Sequence, residues 1–146
     1  MTLLSGLFRP FERKLRRVPP GQLLVCGALD AGDRLFGAQE LRSLAAQFQI
    51  ADVAQYKAGQ HGRAVRLAGV LAACAPRSGP LYLNVSSRDG CKRLVFWRME
   101  VEPLGLIVYD SGPLQLVVPG FHGARERIDD LALIEVATQP GRERPG

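Results

Sequence analysis

Apolar residues recur at Leu4, Phe8, Phe11, Leu15 and Val18, at spacings of four, three, four and three. That period lines one face of a helix. Arg9, Arg13, Lys14, Arg16 and Arg17 fall largely off that face. Pro10 lacks a backbone donor and sits badly inside a helix, so the pattern predicts a helix beginning near Pro10. Pro19-Pro20-Gly21 then breaks the chain and marks a linker. Gln22 to Leu29 is a short apolar run, read as a strand, and Asp30 to Asp33 a turn. The helical period returns over Gly37 to Gln47, with Leu41, Leu44, Ala45 and Phe48 on one face. Glu40 stands in the first turn, where the helix dipole favours an acid. Phe48 to Tyr56 reads as a strand, polar Lys57 to Arg63 as a loop, and Leu67 to Cys74 as a short helix stopped by Pro76 and Gly79.

The second half reads as strands. Leu81 to Val85 alternates apolar and polar positions, as a half-buried strand does. Ser87-Arg88-Asp89-Gly90 carries the Asp-Gly pair of a tight hairpin, and Cys91 to Trp97 supplies the partner strand. Gly105 to Tyr109, Leu114 to Val118 and Leu131 to Ala137 complete the strands. Gln139 to Gly146 has little to bury and is expected to be a mobile tail. Short strands interleaved with two or three short helices define an α+β fold built on a mixed sheet. The organisation expected is a basic amphipathic segment over 1–18, one domain over 20–138, and the tail over 139–146.

Composition narrows this picture. The chain has 146 residues, 47% apolar and 23% charged, which suits one globular domain. The net charge of +5 is uneven. Residues 1–18 hold five basic residues against one acid, while the remainder holds 14 basic against 13 acidic residues. The body is therefore nearly neutral, and no nucleic-acid partner is expected. The basic segment has two readings: a surface for an acidic protein partner or an acidic membrane, or a helix packed on the domain with a solvated outer face. Cys26, Cys74 and Cys91 stand far apart without a C-x-x-C, and their odd number does not suit a disulfide framework. The N-terminus lacks the order of a signal peptide. A reduced, cytoplasmic protein is the expectation, membrane-peripheral if the basic segment meets a bilayer.

Four segments, in order, carry a resemblance: Gln22 to Leu44, Arg63 to Leu71 (RAVRLAGVL), Leu81 to Gly90 (LYLNVSSRDG), and Gly112 to Val136, which contains LVVPGFHGAR. Together they resemble a shortened molybdopterin-binding domain of the sulfite-oxidase type of oxidoreductase, over about residues 20–137. The resemblance implies molybdopterin as cofactor, held near Tyr109, Gly120, His122, Gly123 and Arg125. It also implies a molybdenum-ligating cysteine between the first helix and the second. In this chain that region is Gln49 to Arg63 (QIADVAQYKAGQHGR), and it has no cysteine. The family's tryptophan before the valine-x-leucine segment is also missing. Gln115 stands where the family has arginine, and Asp129 and Asp130 where it has a lysine-tryptophan pair. Two carboxylates would repel a phosphate there.

The residues themselves admit bland readings beside sharp ones. Each cysteine is a nucleophile or ligand, or a small core residue; only Cys91, beside Lys92 and Arg93, has cationic neighbours in sequence. His61 and His122 make no metal-ligand spacing with other residues. Arg125 and Arg127 suit an oxyanion, or they pair with Glu126, Asp129 and Asp130. Two functions follow. One is a degenerate molybdopterin-domain-like protein, without cofactor or molybdenum catalysis, acting as a binding or interaction module. The other is an active oxidoreductase holding molybdopterin or another anionic cofactor. The missing thiolate favours the first, and enzymatic activity stays open. Exposed sheet edges in so small a domain would suit a partner or a second copy.

Overall fold

A computed structural model describes residues 3–146, with side chains from residue 10 onward. The elements, in order, are α1 (Leu3–Arg16), β1 (Leu23–Gly27), β2 (Arg34–Phe36), α2 (Ala38–Arg42), β3 (Gln49–Ile50), β4 (Ala64–Arg66) and α3 (Leu67–Ala73). There follow β5 (Tyr82–Ser87), β6 (Lys92–Trp97), α4 (Arg98–Val101), β7 (Leu106–Val108), β8 (Gln115–Val117), β9 (Arg127–Ile128), β10 (Leu131–Ala137) and β11 (Arg144–Pro145). The fold is α+β, and its strands divide between two sheets. The larger runs β11-β6-β5-β10-β1-β2, and only β1 and β10 pair in parallel. The smaller runs β3-β4-β7-β8-β9 and is antiparallel throughout. Among the described residues, no helix is long and apolar enough to cross a membrane.

One core joins the sheets. Val25, Val85, Phe96 and Ile134 from the large sheet meet Val65, Ile107, Leu116 and Ile128 from the small one, with Leu41 of α2 and Val70 and Leu71 of α3 between them. The opposite face of the large sheet is covered too. Leu15 and Val18 pack there with Cys26, Ala132 and Leu133. A strand covered on both faces reads as a continuous apolar run, which is why β10 (LALIEVA) does not alternate.

Several boundaries depart from the sequence pattern, each for a local reason. The first helix runs through Pro10 instead of starting there. The proline removes one donor and crowds the carbonyl of Gly6, a residue whose backbone gives most readily. Burying Leu15 and Val18, worth about 1.5–3 kcal/mol each, holds the helix to the sheet. The helix expected over Gly37–Gln47 ends at Arg42. The Gln49 side-chain amide donates to the carbonyls of Leu41 (2.9 Å), Arg42 (3.3 Å) and Leu44 (3.1 Å), holding carbonyls at and just past the helix end. The strand expected over Phe48–Tyr56 shrinks to β3. Asp52 Oδ1 accepts from the N–H groups of Ala54 (3.0 Å) and Gly62 (3.3 Å), which folds the chain into a short 3₁₀ turn.

The tail expected to be mobile has partners. β11 pairs with β6, and the Gly141 N–H donates to Asn84 Oδ1 at 2.7 Å. Asn84 Nδ2 donates to the Gln139 carbonyl at 3.2 Å. These anchors are polar, so no apolar pattern announces them.

Arg88, in the hairpin turn, fastens the Pro-Pro-Gly linker. It donates to the carbonyls of Val18 (2.9 Å) and Gln22 (3.1 Å), and its Nε lies 3.4 Å from Asp130 Oδ1. Arg88→Ala is expected to cost about 2 kcal/mol, from lost hydrogen bonds to a charged donor, and to loosen α1. Urea unfolding would measure the loss, and faster amide exchange in residues 11–22 would locate it.

Candidate functional site

The resemblance groups Tyr109, Gly120, His122, Gly123 and Arg125 around one cofactor, whereas Tyr109 and Gly123 line separate hollows in the structure. Tyr109 directly follows β7 and is buried. Its hydroxyl donates to Gln49 Oε1 at 2.9 Å, so the tyrosine steadies the same amide that closes α2. Beside it a cleft of about 290 Å³ is lined by Arg42, Gln49, Ile50, Ala51, Arg63 and Tyr109. The Arg42 guanidinium lies 6.0 Å from the centre of the Tyr109 ring. Asp110 Oδ1 accepts from the Arg63 backbone N–H at 2.7 Å, which fixes the chain carrying that arginine. Neither the Arg42 nor the Arg63 guanidinium has a carboxylate partner among the described residues.

Gly120, His122, Gly123 and Arg125 occupy the connection from β8 to β9. Gly120 (φ +91°) and Gly123 (φ +66°) adopt backbone angles that favour glycine. His122 is exposed and makes no side-chain cap to the 3₁₀ turn Gly123–Arg125. Arg125 is engaged within the fold. It donates to the carbonyl of Val95, pairs with Glu143 at 3.2 Å, and lies 4.8 Å over the Phe96 ring. Gly123 lines a second, acid-rich hollow with Asp89, Glu126, Asp129 and Asp130, which does not include Tyr109.

Asp129 and Asp130, where the resemblance implies a lysine-tryptophan pair, have partners in the fold. Arg127 Nε lies 3.1 Å from Asp129 Oδ1, and Asp130 faces Arg88. Glu126 pairs with Lys57 at 3.1 Å. Asp89 is held below the usual carboxylate range, first by the Cys91 N–H and then by the Ser87 hydroxyl. It closes the β5–β6 turn.

None of the three cysteines lines the arginine cleft. Cys26 lies on the outer face of β1 under α1, Cys74 follows α3 in the main core, and Cys91 is exposed at the hairpin turn. Burial pushes the Cys26 thiol up to about 12, and Lys14 offsets only part of the effect. Burial also raises Cys74. His61 Nδ1 is 3.6 Å from Asp52 Oδ2, both on the surface. Among the described residues, no group of three or more histidines, cysteines or acids is arranged to hold a metal ion.

The fold is of the sulfite-oxidase type, at a distance. The chain matches the crystal structure of the sulfane dehydrogenase SoxCD from Paracoccus pantotrophus with a TM-score of 0.64 at 15% identity. The match covers 82% of this chain and 38% of that one, so the chain spans well under half of its structural neighbour. Neither a family model nor a curated protein sequence matches the chain.

The arginines of the cleft escape a reading of the sequence. Arg42 closes a helix and Arg63 ends a polar loop, 21 positions apart. The pairing of β3 with β4, Gln49 opposite Val65, and the Gln49 bonds to the end of α2 bring their segments to one cleft. A two-residue strand is too short to show a period.

Proposed function

We propose that this chain is a binding module on a sulfite-oxidase-type scaffold, working without molybdenum, and that it takes small oxyanions in the cleft of Arg42 and Arg63. One observation carries the reading. Residues 49–63 enter and leave the cleft through Gln49, Ile50, Ala51 and Arg63 and bring to it one guanidinium and no sulfur, while Arg42 at the end of α2 brings the second guanidinium. By the resemblance, that stretch is where a molybdenum-binding thiolate belongs. The donor set therefore does not fit molybdopterin with its metal, because the sulfur ligand has no candidate there. It does suit a free oxyanion, since guanidinium groups without carboxylate partners offer planar, charge-assisted donors.

The basic face of α1 is the second contact surface in this reading. Arg13, Arg16 and Arg17 are exposed, and Lys14 pairs with Asp33 at 3.2 Å. Arg9 falls outside the residues with described side chains. Phe11, Leu15 and Val18 are turned onto the sheet, which favours an acidic protein partner over insertion into a bilayer.

Titration with inorganic phosphate, followed by amide chemical shifts, tests the cleft. Shifts are expected at Ala51, Arg63 and Asp110. The Arg42→Gln/Arg63→Gln double variant is expected to bind about tenfold more weakly or worse. Unmoved shifts at millimolar phosphate, or equal binding by the variant, would contradict the assignment.

A further inference from the structure

We propose that a second cavity, between α1 and the outer face of the large sheet, binds a small organic monocarboxylate through Arg93. This site is separate from the arginine cleft and does not depend on the reading given for it. The cavity holds about 210 Å³, and its walls come from α1, β5, β6, β10 and the C-terminal tail.

Arg93 is the reason to expect a ligand. It is only 8% exposed, on the face of β6 that α1 covers. Its Nε has no hydrogen-bond partner among the described residues. Its nearest acid, Glu12, stands 3.7 Å from Nη2, beyond hydrogen-bonding reach. A guanidinium keeps its charge in proteins, so a buried one with an unfilled donor cannot escape its cost by losing a proton. Leaving such a donor unmade is more costly than making it, and a bound anion resolves the deficit. The local field agrees. Arg144 pairs opposite Arg93 across the β6–β11 ladder, and Arg142 also lines the cavity.

Among the described residues Glu135 is the one acid in the lining, and it is engaged. Its carboxylate accepts from Asn84 Nδ2 at 2.9 Å. The same Asn84 holds the tail through Gln139 and Gly141, so the wall that the tail provides is built before any ligand arrives.

The rest of the lining sets the class of ligand. The Phe11 ring lies 5.0 Å from the Arg93 guanidinium carbon, and Val95 and Pro140 add apolar surface. An inorganic anion would satisfy the arginine and leave these walls wet. A carboxylate on a single ring or short chain would satisfy both. The size fits: a cavity of about 150 Å³ already holds benzene.

The test uses the full chain, with benzoate and hexanoate as probes and benzamide as the neutral control. Amide shifts at Leu94, Val95 and Glu135 are expected to move to saturation with either carboxylate, and benzamide is expected to bind about tenfold more weakly or worse. Arg93→Met should keep the fold, since an apolar chain replaces a buried guanidinium whose acid stands 3.7 Å away and whose Nε is unfilled, and should abolish the carboxylate response. Glu12→Gln, which removes the competing acid, should tighten binding. No shift at these amides with millimolar benzoate would overturn the proposal. So would equal binding of benzamide, an undiminished response in Arg93→Met, or weaker binding by Glu12→Gln.

Discussion

Replacing Gly27 with alanine is expected to destabilise the protein by about 2–4 kcal/mol, which for a chain of this size lowers the melting temperature by roughly 10 °C. Two independent faults add. Gly27 ends β1 at φ +98°, a conformation that L side chains rarely adopt. A Cβ built there would also collide with the carbonyl oxygen of Val136 and press on Glu135 Cγ at 3.1 Å. That carbonyl cannot move away cheaply, because it accepts from the Ala28 N–H at 2.9 Å in the centre of the large sheet. Gly32→Ala serves as control. It carries φ +80° in an open turn with nothing within 4 Å of the new methyl, so only the backbone strain applies. Calorimetry should show the larger loss at Gly27. Equal losses at both positions would mean that the close approach of β1 to β10 is not the constraint described.

The second large effect appears at alkaline pH. The buried Cys26 thiol titrates at about 12 in the folded chain, against an ordinary 9.0. The folded state therefore keeps its proton where the unfolded state loses it. The resulting stability is fully present below pH 9 and is lost as pH rises from 9 toward 12, at up to about 1.4 kcal/mol per pH unit. Cys26→Ala removes this dependence. The stability difference between wild type and variant, measured by urea unfolding at pH 8, 9 and 10, should move in the variant's favour as pH rises. A constant difference would place Cys26 in contact with water and undo the packing of α1 over β1.

Much of the fold is legible in the sequence, and the reasons it fails elsewhere are physical. β5, β6 and β10 are readable because they are long, apolar and joined in part by an Asp-Gly turn. α3 is readable because Pro76 and Gly79 bound a pure apolar run. β2, β4 and β9 are invisible because two or three residues show no period and, unlike those of the equally short β7 and β8, they do not sit inside a longer apolar run. The early end of α2 and the seating of the tail depend on Gln49 and Asn84, whose hydrogen bonds reach across the fold from residues that look unremarkable in a linear reading.

The site was less legible than the fold. The resemblance named Tyr109 and Arg125 together, but the side chains have separate structural duties, one to Gln49 and the other to Glu143 and Val95. Arg42 and Arg63, which line the cleft beside Tyr109, come from segments whose chemistry looked ordinary. That residues 49–63 hold no cysteine is plain from the sequence, and Gln49, Ile50, Ala51 and Arg63 of that stretch line the cleft.

The central claim is a sulfite-oxidase-type scaffold that functions without molybdenum. Elemental analysis of the full chain, purified from a host that makes molybdopterin, measures this directly, together with fluorescence of an oxidised pterin extract. The account predicts molybdenum far below one equivalent per chain and no pterin signal. Stoichiometric molybdenum accompanied by pterin would contradict it.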